Sequence, residues 1–478
     1  MRQQNHFYWR AGFGPTPEML FQKASFKAGT YFDAFWKASE KLPIPINVSG
    51  NVFDGLNNGL MTAGKIQGGE AEQKAQRQQM QKQSRESIRN LNLRWLDEMV
   101  NSPAQLREKA ALFWHGHFAS RNLNSFYQQQ LLTIIRDGAL GNFADLLRSV
   151  SKSAAMLAFL NNQQNRKQQP NENFAREVME LFTLGRGNYS ETDIKEAARA
   201  FTGWGFNLQG EFVFRKQLHD TGSKTIFGKT GNFDGDDVLN LLLERRETAT
   251  WIARKMYRFY VNDTPNEQHV SWLANRFYEG DYNIKKLLQD ILTSSWFYDE
   301  KNMGAIVKSP IVLWTGIRRI LPMELANPEI QMVLQRALGQ VLLYPPSVAG
   351  WPGGTNWIDS SSLLLRMRLP QLVAKAEPFE LATPLDDDLN MGMMQKSMGA
   401  GLSNRFALNG DIGWEALTKA FENSDGSKLE KIVPMQLLQT AQMPLQTIAE
   451  QIPAGLPRQD RIIKAALLTM ATPEYQLC

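Results

Sequence analysis

The run from Asn171 to Gly185 holds the chain's densest group of side chains that could do chemistry. On a helix at about 100° per residue, Asn173, Arg176, Glu177 and Glu180 fall within about 100° of one another. Phe174, Val178, Met179, Leu181 and Phe182 spread over a wider opposite arc, which predicts a deeply packed helix with its charged stripe toward a cleft or a polar neighbour. Ser190, with Asp193 three residues on, reads as an N-cap, and the helix it starts puts Asp193, Glu196 and Arg199 near one side. Carboxylates crowded in this way cannot all ionise cheaply, which is one route to a general acid at neutral pH. Glu177 and Glu180 are therefore the expected acid/base residues, with Asn173, Arg176 and Arg199 holding substrate. The same pattern also fits a structural ion-pair network, or an exposed stripe with an Arg176–Glu180 pair worth about 0.2–0.5 kcal/mol.

Five histidines and one cysteine limit what else is available. The cysteine is Cys478, the last residue, which argues against disulfides, cysteine-based zinc or iron–sulfur sites and a buried thiol nucleophile. His115 and His117 flank Gly116. On a helix, residues two apart point about 200° from each other, whereas zinc needs the i, i+3 or i, i+4 spacing. They read as a proton shuttle, with packing between Trp114 and Phe118 as the alternative; no metal and no cofactor is assigned. His219, Asp220 and Lys224 lie in a Gly-flanked loop able to hold an anion. Its likeness to a phosphate-binding loop fails by one residue of spacing and lacks a strand–loop–helix setting. His6 and Arg10 place polar groups just before the Gly12–Pro17 turn and an expected helix start. Trp351 and Trp357 flank a Pro/Gly-rich loop and offer either a platform for a sugar ring or a cap on the core. There is no G-x-S-x-G, H-E-x-x-H or EF-hand pattern, and no G-x-G-x-x-G after a strand.

The elements that must position these groups are mainly α-helical, a large multi-helix globular assembly with a minor β-hairpin near 206–214. Apolar residues recur at helical spacing in 84–99, 125–138, 143–160, 171–185, 235–243, 247–260 and 310–320. The expected division is a main helical domain over 1–375 with a flexible insertion about 43–83, a linker or lid at 376–410, and a small C-terminal helical part over 411–478 packed on it. The 53 basic and 48 acidic residues leave a scattered net charge of +5, with no basic block to suggest nucleic acid. No run of 18 apolar residues predicts a membrane span, and no signal peptide follows Met1. The expectation is cytoplasmic, or exported if a leader has been removed.

Several blocks occur together: Arg-Ala-Gly-Phe-Gly from Arg10, Phe-Trp-His-Gly-His-Phe from Phe113, and Asn-Glu-Asn-Phe-Ala-Arg-Glu from Asn171. His219-Asp-x-Gly-x-Lys, Val307-Lys-Ser-Pro, Pro345-Pro-x-Val-x-Gly-Trp-Pro-Gly-Gly and Pro473-Glu-Tyr-Gln follow in order. The chain resembles the bacterial family named domain of unknown function 1800 over essentially its whole length. The resemblance implies a mainly helical bacterial protein with a polar pocket shared among the motif residues. It also implies a sulfatase-like partner protein, because many relatives are encoded beside such a family. Two functions stay open. One is a hydrolase or transferase acting on an anionic or polyhydroxylated substrate; the other is a non-catalytic scaffold for an exported partner, with the charges forming a buried structural network.

Overall fold

The computed structural model describes residues 1–20, 25–49, 70–375, 378–380, 405–408 and 410–478. The chain opens on α1 (Arg2–Ala11), followed by α2 (Ala28–Ser39), the long α3 (Glu70–Asn101) and α4 (Gln105–His117). The stripe expected on α3 is buried at Ile88, Leu91, Trp95, Leu96 and Met99. Helix α4 is buried on every side, with partial exposure only at Gly116. Its interior position strands Glu108, and the fold answers with partners: Trp95 Nε1 donates to Glu108 Oε2 at 2.9 Å and Arg136 Nη2 to Oε1 at 2.6 Å. Arg136 belongs to α5 (Ser125–Gly138), so this ion pair ties three helices at the centre.

The expected helix over 143–160 is two helices, α6 (Phe143–Ser151) and α7 (Ala154–Phe159). Ser153 divides them, because its Oγ accepts from Met156 N–H and so caps a new helix. Helix α8 (Asn173–Glu177) runs into a π-helical turn, Val178–Thr183, and α9 (Glu191–Ala200) starts at the Ser190–Asp193 capping box. The hairpin pairs β1 (Trp204–Phe206) with β2 (Phe212–Phe214). It starts two residues earlier than the sequence suggests, because Arg215 N–H bonds to Gly203 O and extends the pairing. A second hairpin, β3 (Lys224–Ile226) and β4 (Lys229–Gly231), was not apparent from the sequence.

Then come α10 (Gly235–Leu243), α11 (Arg246–Tyr260), α12 (Glu267–Glu279), α13 (Ile284–Thr293) and α14 (Pro310–Ile320). Ser309 caps α14, with Pro310 at its first position. Short strand pairs, β5 (Met323–Leu325) with β8 (Gly410–Ile412) and β6 (Pro378–Glu380) with β7 (Arg405–Ala407), accompany α15 (Ile330–Ala337) and α16 (Ser360–Lys375). The chain ends in α17 (Trp414–Ala420), α18 (Leu429–Leu437), α19 (Leu445–Glu450) and α20 (Arg458–Met470). Helix α18 meets α1, where Asn5 Nδ2 donates to Gln436 O at 2.6 Å. The final residues lie against the segment before α14, with Ile306 and Cys478 exchanging backbone hydrogen bonds. Most of the expected insertion and linker lie outside the described residues. Among the described residues, no helix is long and apolar enough to cross a membrane.

Candidate functional site

A cavity of about 620 Å³ opens between α1, α4 and α11, closed by the segment 306–309, the loop 351–357 and Cys478. Helix α11 is amphipathic: Ile252, Ala253, Met256, Tyr257 and Tyr260 are buried, while Trp251, Arg254, Lys255 and Arg258 line the cavity. From α4 come Lys109, Phe113 and His117, and from α1 comes Arg10. The loop lies on the end of α4 because Gly350 has no side chain; a Cβ there would collide with Gly116 O. Its φ of +80° independently favours glycine.

Six cationic side chains line this cavity, Arg10, Lys109, Arg254, Lys255, Arg258 and Lys308, against one acidic side chain, Asp263. Some of them are committed to the fold. Arg10 donates to Tyr260 O at 3.3 Å and Asn302 O at 3.1 Å. Lys109 Nζ donates to Trp9 O at 3.0 Å, and Lys308 Nζ to Tyr475 O at 2.6 Å while lying 3.5 Å over the Trp9 ring. Arg254 pairs with both Glu267 oxygens at 2.6 Å. Lys255 and Arg258 differ: among the described residues neither has a hydrogen-bond or ion-pair partner, and Lys255 Nζ lies 5.5 Å from the centre of the Trp251 ring. Burial pulls the Lys255 ammonium down to about 8 and Lys109 to about 7; for Lys109, attraction to Cys478 offsets part of that cost. Burial also raises the Asp263 carboxyl, against the pull of Arg10 and Arg258.

His117 is 2% exposed, and its Nε2 lies 3.2 Å from Phe182 O. A carbonyl only accepts, so Nε2 carries the proton and Nδ1 offers a lone pair. That Nδ1 has no partner within the described protein. Burial, reinforced by Lys255, holds the ring well below its usual pKa and therefore neutral. Phe182 O is available to it because the π-helical turn displaces the local carbonyls, and the neighbouring Leu181 O takes the Trp251 indole N–H at 2.9 Å.

Of the candidate side chains singled out from the sequence, Arg10, His117, Trp351 and Trp357 line this cavity, as does Cys478, and the others lie elsewhere. His115 and His117 sit on one unbroken helix and point apart. His115 Nε2 accepts from Leu343 N–H at 3.1 Å, and burial pushes its pKa down to about 3. His6 and Arg10 lie within α1 rather than before a helix, and His6 Nε2 bonds to Phe297 O at 3.1 Å. The 173–180 stripe is an outer network. Asn173 Nδ2 donates to Leu160 O, Arg176 pairs with Glu172 and Glu191, and Glu180 is held by Arg186 and the Tyr189 hydroxyl. These contacts lower the Glu180 pKa, while burial and Glu180 raise that of Glu177. Glu177 and Glu180 are therefore not brought to His117's cavity, in part because the helix they were placed on changes to π geometry after Glu177.

A third network joins α9 to the β3–β4 hairpin. Arg199 bonds Glu196 and Asp220, Lys224 Nζ donates to Asp220 O and Gly222 O, and His219 Nδ1 lies 3.0 Å from Thr202 O. The expected anion loop thus spends its donors on itself. Cys478 corrects another expectation: it is 4% exposed and lines the cationic cavity. Among the described residues, no three His, Cys, Asp or Glu side chains are grouped to hold a metal ion. A larger groove of about 1030 Å³ lies beside Arg318 and Arg319, but these bond Asp97 and Gln331, and Gly14 O and Val100 O, respectively.

Lys255, Arg258, Asp263 and Trp251 were missed from the sequence. Their signal was Trp251-x-x-Arg-Lys-x-x-Arg258, a basic helix face on which Lys255 has no acidic residue three or four positions away. Fold and site together define a mainly helical protein with a cationic, tryptophan-walled cleft. The chain belongs to the family described as protein of unknown function DUF1800, whose match spans residues 6–477. No curated protein and no solved structure matches it.

Proposed function

We propose that the protein is an enzyme of the hydrolase or transferase type whose cleft binds an anionic substrate. Lys255 and Arg258 hold the charge, and His117 and Asp263 are placed to exchange protons with it. The observation that carries this reading is Lys255, a cation lining the cleft with no hydrogen-bond or ion-pair partner among the described residues. Burying an unpaired ammonium costs free energy that an anionic occupant returns. Burial raises the Asp263 carboxyl from its ordinary value, which makes its carboxylate a stronger base toward a bound substrate, and the His117 ring in the same cleft is neutral.

The test is calorimetric titration of the full chain with inorganic phosphate and sulfate, alongside Lys255→Met. Saturable binding that weakens at least tenfold in the variant is expected. Absence of binding by both anions, or equal binding by the variant, would refute the reading. The scaffold reading draws its support from the network of Arg199, Asp220 and Lys224, whose charges are satisfied inside the protein.

A further inference from the structure

We propose that the anion held at Lys255 is carried on a saccharide, and that the loop 351–357 with Asp263 forms the subsite for the sugar ring. This rests on the anion-binding reading above and names the class of ligand. All seven residues from Trp351 to Trp357 line the cavity. This run offers the partly exposed Trp351 indole, the Thr355 hydroxyl and the Asn356 amide, with Gly353 and Gly354 leaving the backbone open between them. Sugar rings have apolar C–H faces that settle on indoles and an edge of hydroxyls that must be hydrogen-bonded. A second indole, Trp251, is fixed by its bond to Leu181 O, and Lys255 Nζ lies 5.5 Å over its ring, so the cation is positioned before any ligand arrives.

The polar groups around the ring site are mainly acceptors. Asp263 brings a carboxyl group with no hydrogen-bonded side-chain partner among the described residues. Asn356 spends its Nδ2 on Gly353 O at 3.0 Å, which leaves its Oδ1 as the free end. Acceptors gathered in one cleft match a ligand rich in O–H donors, and the adjacent cations match an acidic substituent on it. A bare phosphate uses the cations alone. The subsite is built as a unit: Gly354 has φ +60°, and a Cβ there would stand 2.8 Å from Asp263 Oδ2. Carboxyl and loop can meet only because residue 354 is glycine.

The experiment compares inorganic phosphate, glucose 6-phosphate, glucuronate, glucose and adenosine 5′-monophosphate by titration calorimetry on the full chain. Wild type is expected to bind glucose 6-phosphate at least about tenfold more tightly than phosphate, the margin that one hydrogen bond to a carboxylate supplies. Glucuronate should show that carboxylate serves as well as phosphate, and glucose should bind weakly. Trp351→Ala should erase the margin and Trp351→Phe keep most of it, with circular dichroism reporting that each variant is folded. Asp263→Asn should tighten phosphate, because a negative charge leaves the cleft, while narrowing the sugar margin; a merely structural role would not produce these opposite shifts. If phosphate binds but glucose 6-phosphate gains nothing over it, or adenosine 5′-monophosphate is preferred, the saccharide proposal is overturned and the anion reading stands. If phosphate and sulfate both fail to bind, both readings are overturned.

Discussion

Replacing Lys109 by Met makes a quantitative test of the electrostatics of the cleft. Lys109 is 3% exposed, and burial holds its ammonium at about 7, against 10.5 for a free lysine. Below pH 7 the group is charged in both states, so the folded protein carries the full cost of the buried charge, roughly 5 kcal/mol by linkage. As pH rises from 7 toward 10.5, the folded group is neutral while the unfolded one still binds its proton. The handicap then shrinks by about 1.4 kcal/mol per pH unit. Its stability contribution is thus present above 10.5 and lost as pH falls to about 7. Met fills similar space and removes the charge, losing one hydrogen bond to Trp9 O worth about 1 kcal/mol. Lys109→Met is therefore expected to be about 4 kcal/mol more stable than wild type at pH 7, and the advantage should narrow by about 2 kcal/mol by pH 9. Urea unfolding followed by tryptophan fluorescence at pH 7, 8 and 9 measures it, and the difference between the two proteins cancels other titrating groups. A difference that does not change with pH would refute the assignment of a buried, depressed lysine.

Three other outcomes are expected. His6, His115 and His117 are all held below their ordinary pKa by burial, so their stabilisation is present above pH 6.5 and is lost as pH falls. Each should remove up to about 1.4 kcal/mol per pH unit below 6.5, visible as a falling urea midpoint between pH 6.5 and 5; an unchanged midpoint would count against neutral buried rings. Glu108→Gln leaves the buried Arg136 only its longer, half-exposed pair with Glu98 at 3.3 Å and should cost about 3 kcal/mol in equilibrium unfolding. Gly316→Ala drives a methyl group into the Trp9 ring and should lower stability by about 1–3 kcal/mol, read as a drop in Tm.

The helical architecture was legible because its apolar residues repeat at helical spacing and its ends are marked by side chains that cap. The segments Ser125–Gly138, Gly235–Leu243 and Pro310–Ile320 have the bounds their apolar spacing suggests, and Asn124, Asp234 and Ser309 cap their starts. Helix α1 was not seen, because every residue from Gln4 to Ala11 is buried and such a helix shows no polar face to mark its period. The site was legible only in part. Arg10, His117 and Trp351 stand out as residue types, but what brings them together is contact between α1, α4 and a loop more than 200 residues further on. The charged stripe misled in the opposite direction. Charged residues that look reactive at 173–180 lie in an outer network, and Lys255, without an ion-pair partner among the described residues, sits on a helix that reads as an ordinary amphipathic surface element.

The π-helical turn at 178–183 gives the cleft an unusual kind of genetic address. Leu184 N–H bonds to Met179 O, five residues back, so this turn holds one residue more than an α-helical path would use. That surplus residue aims the Leu181 and Phe182 carbonyls at Trp251 and His117. The orientation of an indole and the choice of a histidine tautomer are thus written in the number of residues in the segment rather than in the identity of any one of them. Scanning the segment with alanine would leave the count intact and the carbonyls in place. Deleting a single residue between 178 and 183 would remove it, turning the wall of the cleft by about a quarter of a helical turn.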